Sequence, residues 1–354
     1  MVSDTVLKNR YKILQSLSYG GLCQTYLAED LDLPGHPKCV VKHLKPKNPH
    51  PSILQMGKAI FRKEAKCLYS LGQKSEQIPR LFAHFEEKGE FYLVQEFIDG
   101  WDLNQEITSK TKFNQAEVIQ LLKEILEPLA FVHKHNIIHR DIKPSNLMRR
   151  HEDGRIFLID FGALKEINVL EADSQGQITS TIAIGTPGYM PPEQANGKPR
   201  LSSDVYATGM IAIQALTNLP PQQLPEDPIN GEVIWRNWTN VSNELANIIK
   251  KMVRYKFTER YQTAESVLSD LNPLLQSAVL CEIDSYKATH LEGTSSKPFL
   301  QDKQENSKKS LINLSRRQLI KTLSLIGTGL GAAFIAREII SHQNENKQHR
   351  NSVL

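Results

Sequence analysis

The sequence predicts an α+β fold, with strands gathered first and helices after. Three observations carry that expectation. Alternating, β-branched stretches crowd the first hundred residues, interrupted by a single long helical pattern. Past Asp99-Gly100 the apolar spacing turns helical, most clearly from Asn114 to His133. At 354 residues, with 40% hydrophobic and 23% charged side chains, the chain can fill a large core, as two average domains or one large bilobal one.

Taken in order, Tyr11-Lys12-Ile13-Leu14 is a short alternating strand, Gly20-Gly21 signals a turn, and Thr25-Tyr26-Leu27-Ala28 resumes the strand. Lys38 to Leu44 alternates again. From Lys58 to Leu71 the period is helical, with Phe61, Ala65, Leu68 and Leu71 on one face. Glu64 sits beside that face, where a carboxylate is costly unless paired. Two strands follow, Leu81 to Phe85 and Phe91 to Phe97. Asn114 with Glu117 reads as a capping box. It opens a helix whose buried stripe is Val118, Leu121, Leu122, Ile125, Leu126 and Leu129.

The chemistry concentrates in His139-Arg140-Asp141-Ile142-Lys143-Pro144-Ser145-Asn146 and, after a hydrophobic strand from Ile156 to Ile159, in Asp160-Phe161-Gly162. Phosphoryl transfer needs these residue types at this spacing. Asp141 can orient a hydroxyl nucleophile, and Lys143 can neutralise the phosphoryl group in transit. Asn146 and Asp160 can hold magnesium between nucleotide phosphates. With these motifs in place, residues 11 to 272 resemble the protein-kinase family, and within it the bacterial serine/threonine kinases of eukaryotic (Hanks) type.

That resemblance implies the bilobal kinase fold: an N-lobe of about 11–99 and a mainly helical C-lobe of about 100–272, with 1–10 as an N-terminal extension. It implies ATP and Mg2+ (or Mn2+) as cofactors and proteins carrying Ser or Thr as substrates. The glycine-rich loop over the phosphates would be Ser18, Tyr19, Gly20, Gly21 and Cys23, running on to Thr25. Against G-x-G-x-x-G only Gly20 is kept, with Ser18 and Cys23 at the outer positions. Glycine there lets backbone approach phosphate closely. Val40 and Lys42 lie on the third strand of the family's sheet, and Lys42 would meet both the nucleotide phosphates and Glu64. Gln95 takes the gatekeeper place, and Glu96 to Ile98 the adenine-binding hinge. His139 would pack near Phe161 without carrying protons, whereas His133 and His135 read as surface or loop residues. Asp160 to Glu193 would be the activation loop, with Thr179, Ser180 and Thr181 as phosphorylation candidates opposite Arg140. Gly185 to Glu193 is similar to the family's G-T-x-x-Y-M-A-P-E segment, with Pro191 for alanine. Thr186 with Lys143 points to the Ser/Thr class. Arg260 would pair with Glu193, and Asp204 would brace the catalytic loop. The rival readings are a membrane-tethered pseudokinase scaffold, which the altered glycine loop favours, and a small-molecule kinase, which the Gly185–Glu193 segment disfavours.

Composition excludes little else. The net charge of +4 shows no basic stripe in the first 270 positions, which argues against nucleic acid as a partner. The four cysteines, Cys23, Cys39, Cys67 and Cys281, have no metal-ligand spacing and suit free thiols in a reducing cytosol.

Residues 273–314 read as a polar linker, 315–340 as a membrane-associated helix and 341–354 as a polar tail. The run from Thr322 to Ala336 is uncharged, shorter than the roughly 20 residues of a span. It lengthens to Leu319–Ile340 if Lys321 and Arg337 reach the two surfaces. Its apolar residues supply only about −2 to −4 kcal/mol toward insertion. Basic residues from Lys308 to Lys321 would keep the kinase domain cytoplasmic, anchored to the inner membrane. Gly327 and Gly331 form a G-x-x-x-G face compatible with a homodimer. Ser315-Arg316-Arg317 also resembles a twin-arginine export signal, and a helix docked on the kinase is the third reading.

Overall fold

The computed structural model describes residues 5–19, 23–45, 51–161, 170–172, 178–180 and 186–276. Six antiparallel strands build the first sheet: β1 (Val6–Leu7), β2 (Tyr11–Tyr19), β3 (Cys23–Asp30), β4 (Lys38–Leu44), β5 (Leu81–Glu87) and β6 (Glu90–Glu96). Their order across the sheet is β1-β2-β3-β4-β6-β5. The residues expected to be a mere N-terminal extension therefore supply a strand, with Leu7 paired to Tyr11. Two residues are too few to show a period, which hides such a strand in the sequence.

Period-two alternation gives this sheet two faces. Tyr11, Tyr26, Cys39, Val41, Tyr92 and Val94 cluster with Leu7 on one face. Leu44, Phe91 and Leu93 join the larger core on the other. Lys42 pairs across to Leu93, and Val40 to Gln95, so both Lys42 and Gln95 stand on the inner face. Helix α1 (Pro51–Gly72) packs on that face. Phe61, Leu68 and Leu71 are buried as their spacing predicts, and so is Glu64. The helix begins a full two turns before the clear apolar period, with proline at its first position.

Gly100 opens β7 (Gly100–Asp102), which pairs with β8 (Leu147–Arg150) and through it β9 (Ile156–Leu158). A Cβ on Gly100 would stand 2.0 Å from the Arg149 carbonyl oxygen, so this crossing admits only glycine. Helix α2 (Leu103–Ser109) is capped by the Asp102 carboxylate, which accepts from Gln105 N–H. Helix α3 (Gln115–Lys134) starts on the expected capping box: Glu117 N–H donates to Asn114 Oδ1 at 3.0 Å and Asn114 N–H to Glu117 Oε2 at 2.8 Å.

Strands β10 (Leu170–Ala172) and β11 (Ile178–Ser180) pair antiparallel. Helices α4 (Pro192–Ala195), α5 (Leu201–Thr217), α6 (Asn243–Met252) and α7 (264–276) complete the large lobe. Helix α5 is buried from Ser202 to Thr217 and runs through the centre of that lobe. The last helix continues to 276, four residues into the stretch read from sequence as linker. Gly20, Gly21, Gly162, Thr181, Gly185, Cys281 and the whole 315–340 segment lie outside the described residues.

Candidate active site

Strand β4 presents Lys42 and helix α1 presents Glu64 on the facing side, and their charged ends meet at 2.5 Å. Both side chains are almost wholly buried. Lys42 also contacts Asp160 Oδ1, so one ammonium bridges two carboxylates. Burial works against that ammonium, but Asp160 and Glu64 outweigh it and raise the Lys42 pKa above its ordinary value. Desolvation likewise opposes the charge on Asp160, and the Lys42 ammonium beside it holds the carboxyl below its usual range. The expected Lys42–Glu64 pair is thus present, with Asp160 as a third member that the sequence did not place.

Asp160 lies two residues past the end of β9 and takes a left-handed φ of 58°. The strand end is fastened to the catalytic loop by Ile159 N–H donating to the Asn146 carbonyl at 3.0 Å. A short 3-10 turn, Pro144–Asn146, buries Asn146 and turns its side chain toward Asp141. Asn146 Nδ2 donates to the Asp141 carbonyl at 2.8 Å and also to its carboxylate. Lys143 Nζ lies 3.4 Å from Asp141 Oδ2, and the Thr186 hydroxyl donates to Oδ1 at 3.3 Å. Asp141 is therefore gripped from three directions.

The loop backbone is held from below. Asp204, near the start of α5, accepts from His139 N–H and Arg140 N–H, each at 2.8 Å. His139 is fully buried, packs against Phe161 at 4.6 Å between ring centroids and bonds the Ile159 carbonyl through Nε2. Burial pushes its pKa down, which suits a neutral packing residue.

His133 corrects the sequence reading. It is buried, not superficial: Nε2 meets Asp204 Oδ2 at 3.1 Å, and Nδ1 accepts from Ala264 N–H at 3.1 Å. An Nδ1 that accepts leaves the proton on Nε2, which therefore donates to Asp204. Its position on α3 follows the apolar stripe, and that was the missed signal. His135 is half-buried and caps the C-terminus of α3.

Glu193 and Arg260 form the anticipated buried pair, at 2.5 Å and 3.1 Å. Ser203 Oγ donates to Glu193 at 2.8 Å, and the guanidinium lies over the Tyr206 ring.

In the nucleotide-loop region Ser18 faces Thr25 across the β2–β3 hairpin, and Cys23 faces Leu44 of β4. Cys23 packs against the main core. Burial, then the Glu64 carboxylate, push its thiol pKa well up, so a reactive thiolate is disfavoured there. Gln95 is 4% exposed and its Oε1 has no hydrogen-bond partner. A buried orphan acceptor on the cleft face is what a polar ligand group would satisfy. Glu96 ends β6 and accepts from Arg80 N–H at 3.1 Å, and Ile98 is buried.

The donor set suits magnesium held jointly with phosphates. Asn146 and Asp160 offer hard oxygen ligands, too few for an all-protein cage. Among the described residues no group of three or more His, Cys, Asp or Glu could hold a metal alone.

A strand lysine is clamped between a helix glutamate and a loop aspartate, and a nearby loop amide holds a second aspartate. A protein kinase domain model matches residues 11–271, and the chain belongs to the protein kinase family. It is 43% identical over 269 residues to serine/threonine-protein kinase PknA of Nostoc, covering 76% of this chain and 48% of that protein. To serine/threonine-protein kinase C of Synechocystis it is 44% identical over 267 residues, covering 75% and 50%. To serine/threonine-protein kinase PknB of Mycolicibacterium smegmatis it is 30% identical over 292 residues, covering 77% and 44%. The chain spans about half the length of these curated relatives. Among solved structures, PpkA-294 in its apo form matches with TM-score 0.59 at 21% identity, covering 77% of this chain and 99% of that one. A double mutant of the PknI kinase domain of Mycobacterium tuberculosis matches with TM-score 0.57 at 18% identity, covering 77% and 98%. At that identity the likeness is one of fold.

Proposed function

We propose that this chain is a protein serine/threonine kinase that transfers the γ-phosphoryl group of ATP, with magnesium, to Ser or Thr hydroxyls of proteins. One observation carries the reading: Lys42, Glu64 and Asp160 converge from three separate elements, while Asn146, bonded to Ile159 next to Asp160, fixes Asp141. Magnesium, when bound, would neutralise phosphate charge between Asn146 and Asp160. Lys42 would hold the nucleotide phosphates, oriented for that task by Glu64. Asp141, acceptor-only while ionised, would align the attacking hydroxyl. Lys143 would offset charge on the group being transferred. Asn146 spends its amide N–H on Asp141, which leaves its carbonyl oxygen for the metal. Gln95 Oε1 would accept from the exocyclic amine of adenine.

Thr186 and Lys143 both touch Asp141, which supports an alcohol acceptor of the Ser/Thr type. A binding-only scaffold would gain nothing from three grips on that carboxylate. Phosphorylation of Thr179 or Thr181 is proposed to order the activation loop. Residues 315–340 are proposed to hold the domain at the cytoplasmic face of a membrane, on the strength of their apolar run and flanking basic residues. Among the described residues no helix is long and apolar enough to cross one.

Incubating the full chain with γ-labelled ATP, magnesium and casein as a generic acceptor, then mapping the label, tests the reading. Phosphate on serine or threonine is expected. Label confined to tyrosine, or no transfer, would overturn it.

A further inference from the structure

Arg140, immediately before Asp141, holds a left-handed φ of 67°. A non-glycine residue pays for that conformation and keeps it only where its surroundings over-determine it. Both ends of the residue are fastened. Its N–H donates to Asp204 Oδ1 at 2.8 Å. Its carbonyl oxygen accepts from Gln194 Nε2 at 2.6 Å. A carbonyl can only accept, so the amide nitrogen of Gln194 must face it. Gln194 is 8% exposed, on the first turns after Pro191, and Arg140, Asp141, Thr186 and Gln194 line one small polar cavity. Hydrogen bonds therefore fasten this stretch of backbone on both sides of Arg140.

The geometry points to Gln194 as a positioning residue: by holding the Arg140 carbonyl it keeps Asp141 aimed, and it makes that aim depend on the docking of residues 186–195. The same segment reaches the loop at its other end, where the Thr186 hydroxyl donates to Asp141 Oδ1. Thr186 reads the carboxylate and Gln194 reads the peptide behind it, so a segment lifted away releases both together. This inference rests on the kinase reading for its catalytic consequence, but not for the structural one.

Two variants test it in the full chain. Gln194→Met keeps the volume and removes the donor, and Gln194→Asn keeps the amide but shortens its reach. Hydrogen exchange across residues 137–143 should quicken about three- to tenfold in both, as expected for one lost neutral hydrogen bond. With labelled Mg-ATP and casein, kcat should fall roughly ten- to a hundredfold, while the KM for ATP and the equilibrium binding of Mg-ATP stay within about twofold. Exchange unchanged at 137–143 in a folded variant overturns the inference whether or not the wild type transfers phosphate. So does a kcat that stays at the wild-type value, or a loss carried wholly by KM. A wild type without transfer would instead count against the kinase reading, and the exchange data would still judge Gln194.

Discussion

Asp160→Ala is expected to lower phosphate transfer by a factor on the order of 10³ or more, with the fold intact. In the proposed mechanism Asp160 is a metal ligand; losing one withdraws several kcal/mol of charge stabilisation, and each 1.36 kcal/mol is about tenfold in rate. The side chain is 48% exposed, so its loss leaves no large cavity. Lys42 keeps Glu64 as its partner and stays paired. Lys42→Ala is the harsher change: it too should abolish transfer, but it strands Glu64, whose Oε2 already has no partner, in a nearly dry site. The two variants therefore separate catalytic from structural loss. Asp160→Ala should melt within a few degrees of wild type by calorimetry, and Lys42→Ala distinctly lower. Transfer by Asp160→Ala at the wild-type rate would contradict the mechanism.

The second large effect is on stability. Arg260→Ala is expected to cost about 3 to 5 kcal/mol, because it leaves Glu193 buried without its counter-charge. Arg260 also donates to the Tyr255 carbonyl at 2.8 Å and to the carbonyl of Arg254, so several acceptors lose a donor at once. The guanidinium side chain is 0% exposed, and solvent cannot stand in for it. At roughly 2 to 4 °C per kcal/mol for a domain of this size, the melting temperature should fall by about 6 to 20 °C. A double variant, Arg260→Met with Glu193→Leu, should recover part of that loss, since no unpaired charge remains. Recovery would be incomplete because Ser203 Oγ loses its acceptor. A single variant that melts like wild type would show that the pair does not hold the activation-segment end onto the large lobe.

Much of this architecture could be read from the chain because its signals are local. The Asn114–Glu117 cap lies within one helical turn. The stripe of α3 repeats often enough to be unmistakable, and the alternation of β4 sets Lys42 on the cleft face. Among long-range contacts, a buried Glu64 demands a cation by its charge, whereas the Arg260–Glu193 pair, the Asp204 brace and the His139–Phe161 packing were legible only through the family resemblance. Neutral long-range contacts carry no such demand. Gln194 meets a carbonyl 54 residues away, and nothing in its neighbours signals that. The burial of His133 is legible from the apolar stripe of α3, but its partners Asp204 and Ala264, 71 and 131 residues along, are not. The two-residue strand β1 escaped because pairing, not periodicity, defines it. Asp160 reaches Lys42 through a backbone turn at positive φ, which the residue type does not announce.

In the proposed mechanism, Asn146 and Asp160 bring metal-chelated triphosphate to Asp141 in the cleft between the lobes. A crystal structure of the chain with magnesium and a non-hydrolysable ATP analogue tests it most directly. A divalent ion coordinated by both Asn146 and Asp160, with Lys42 on the phosphates, is the predicted result. A nucleotide bound in the cleft with no ion touching either residue would contradict it.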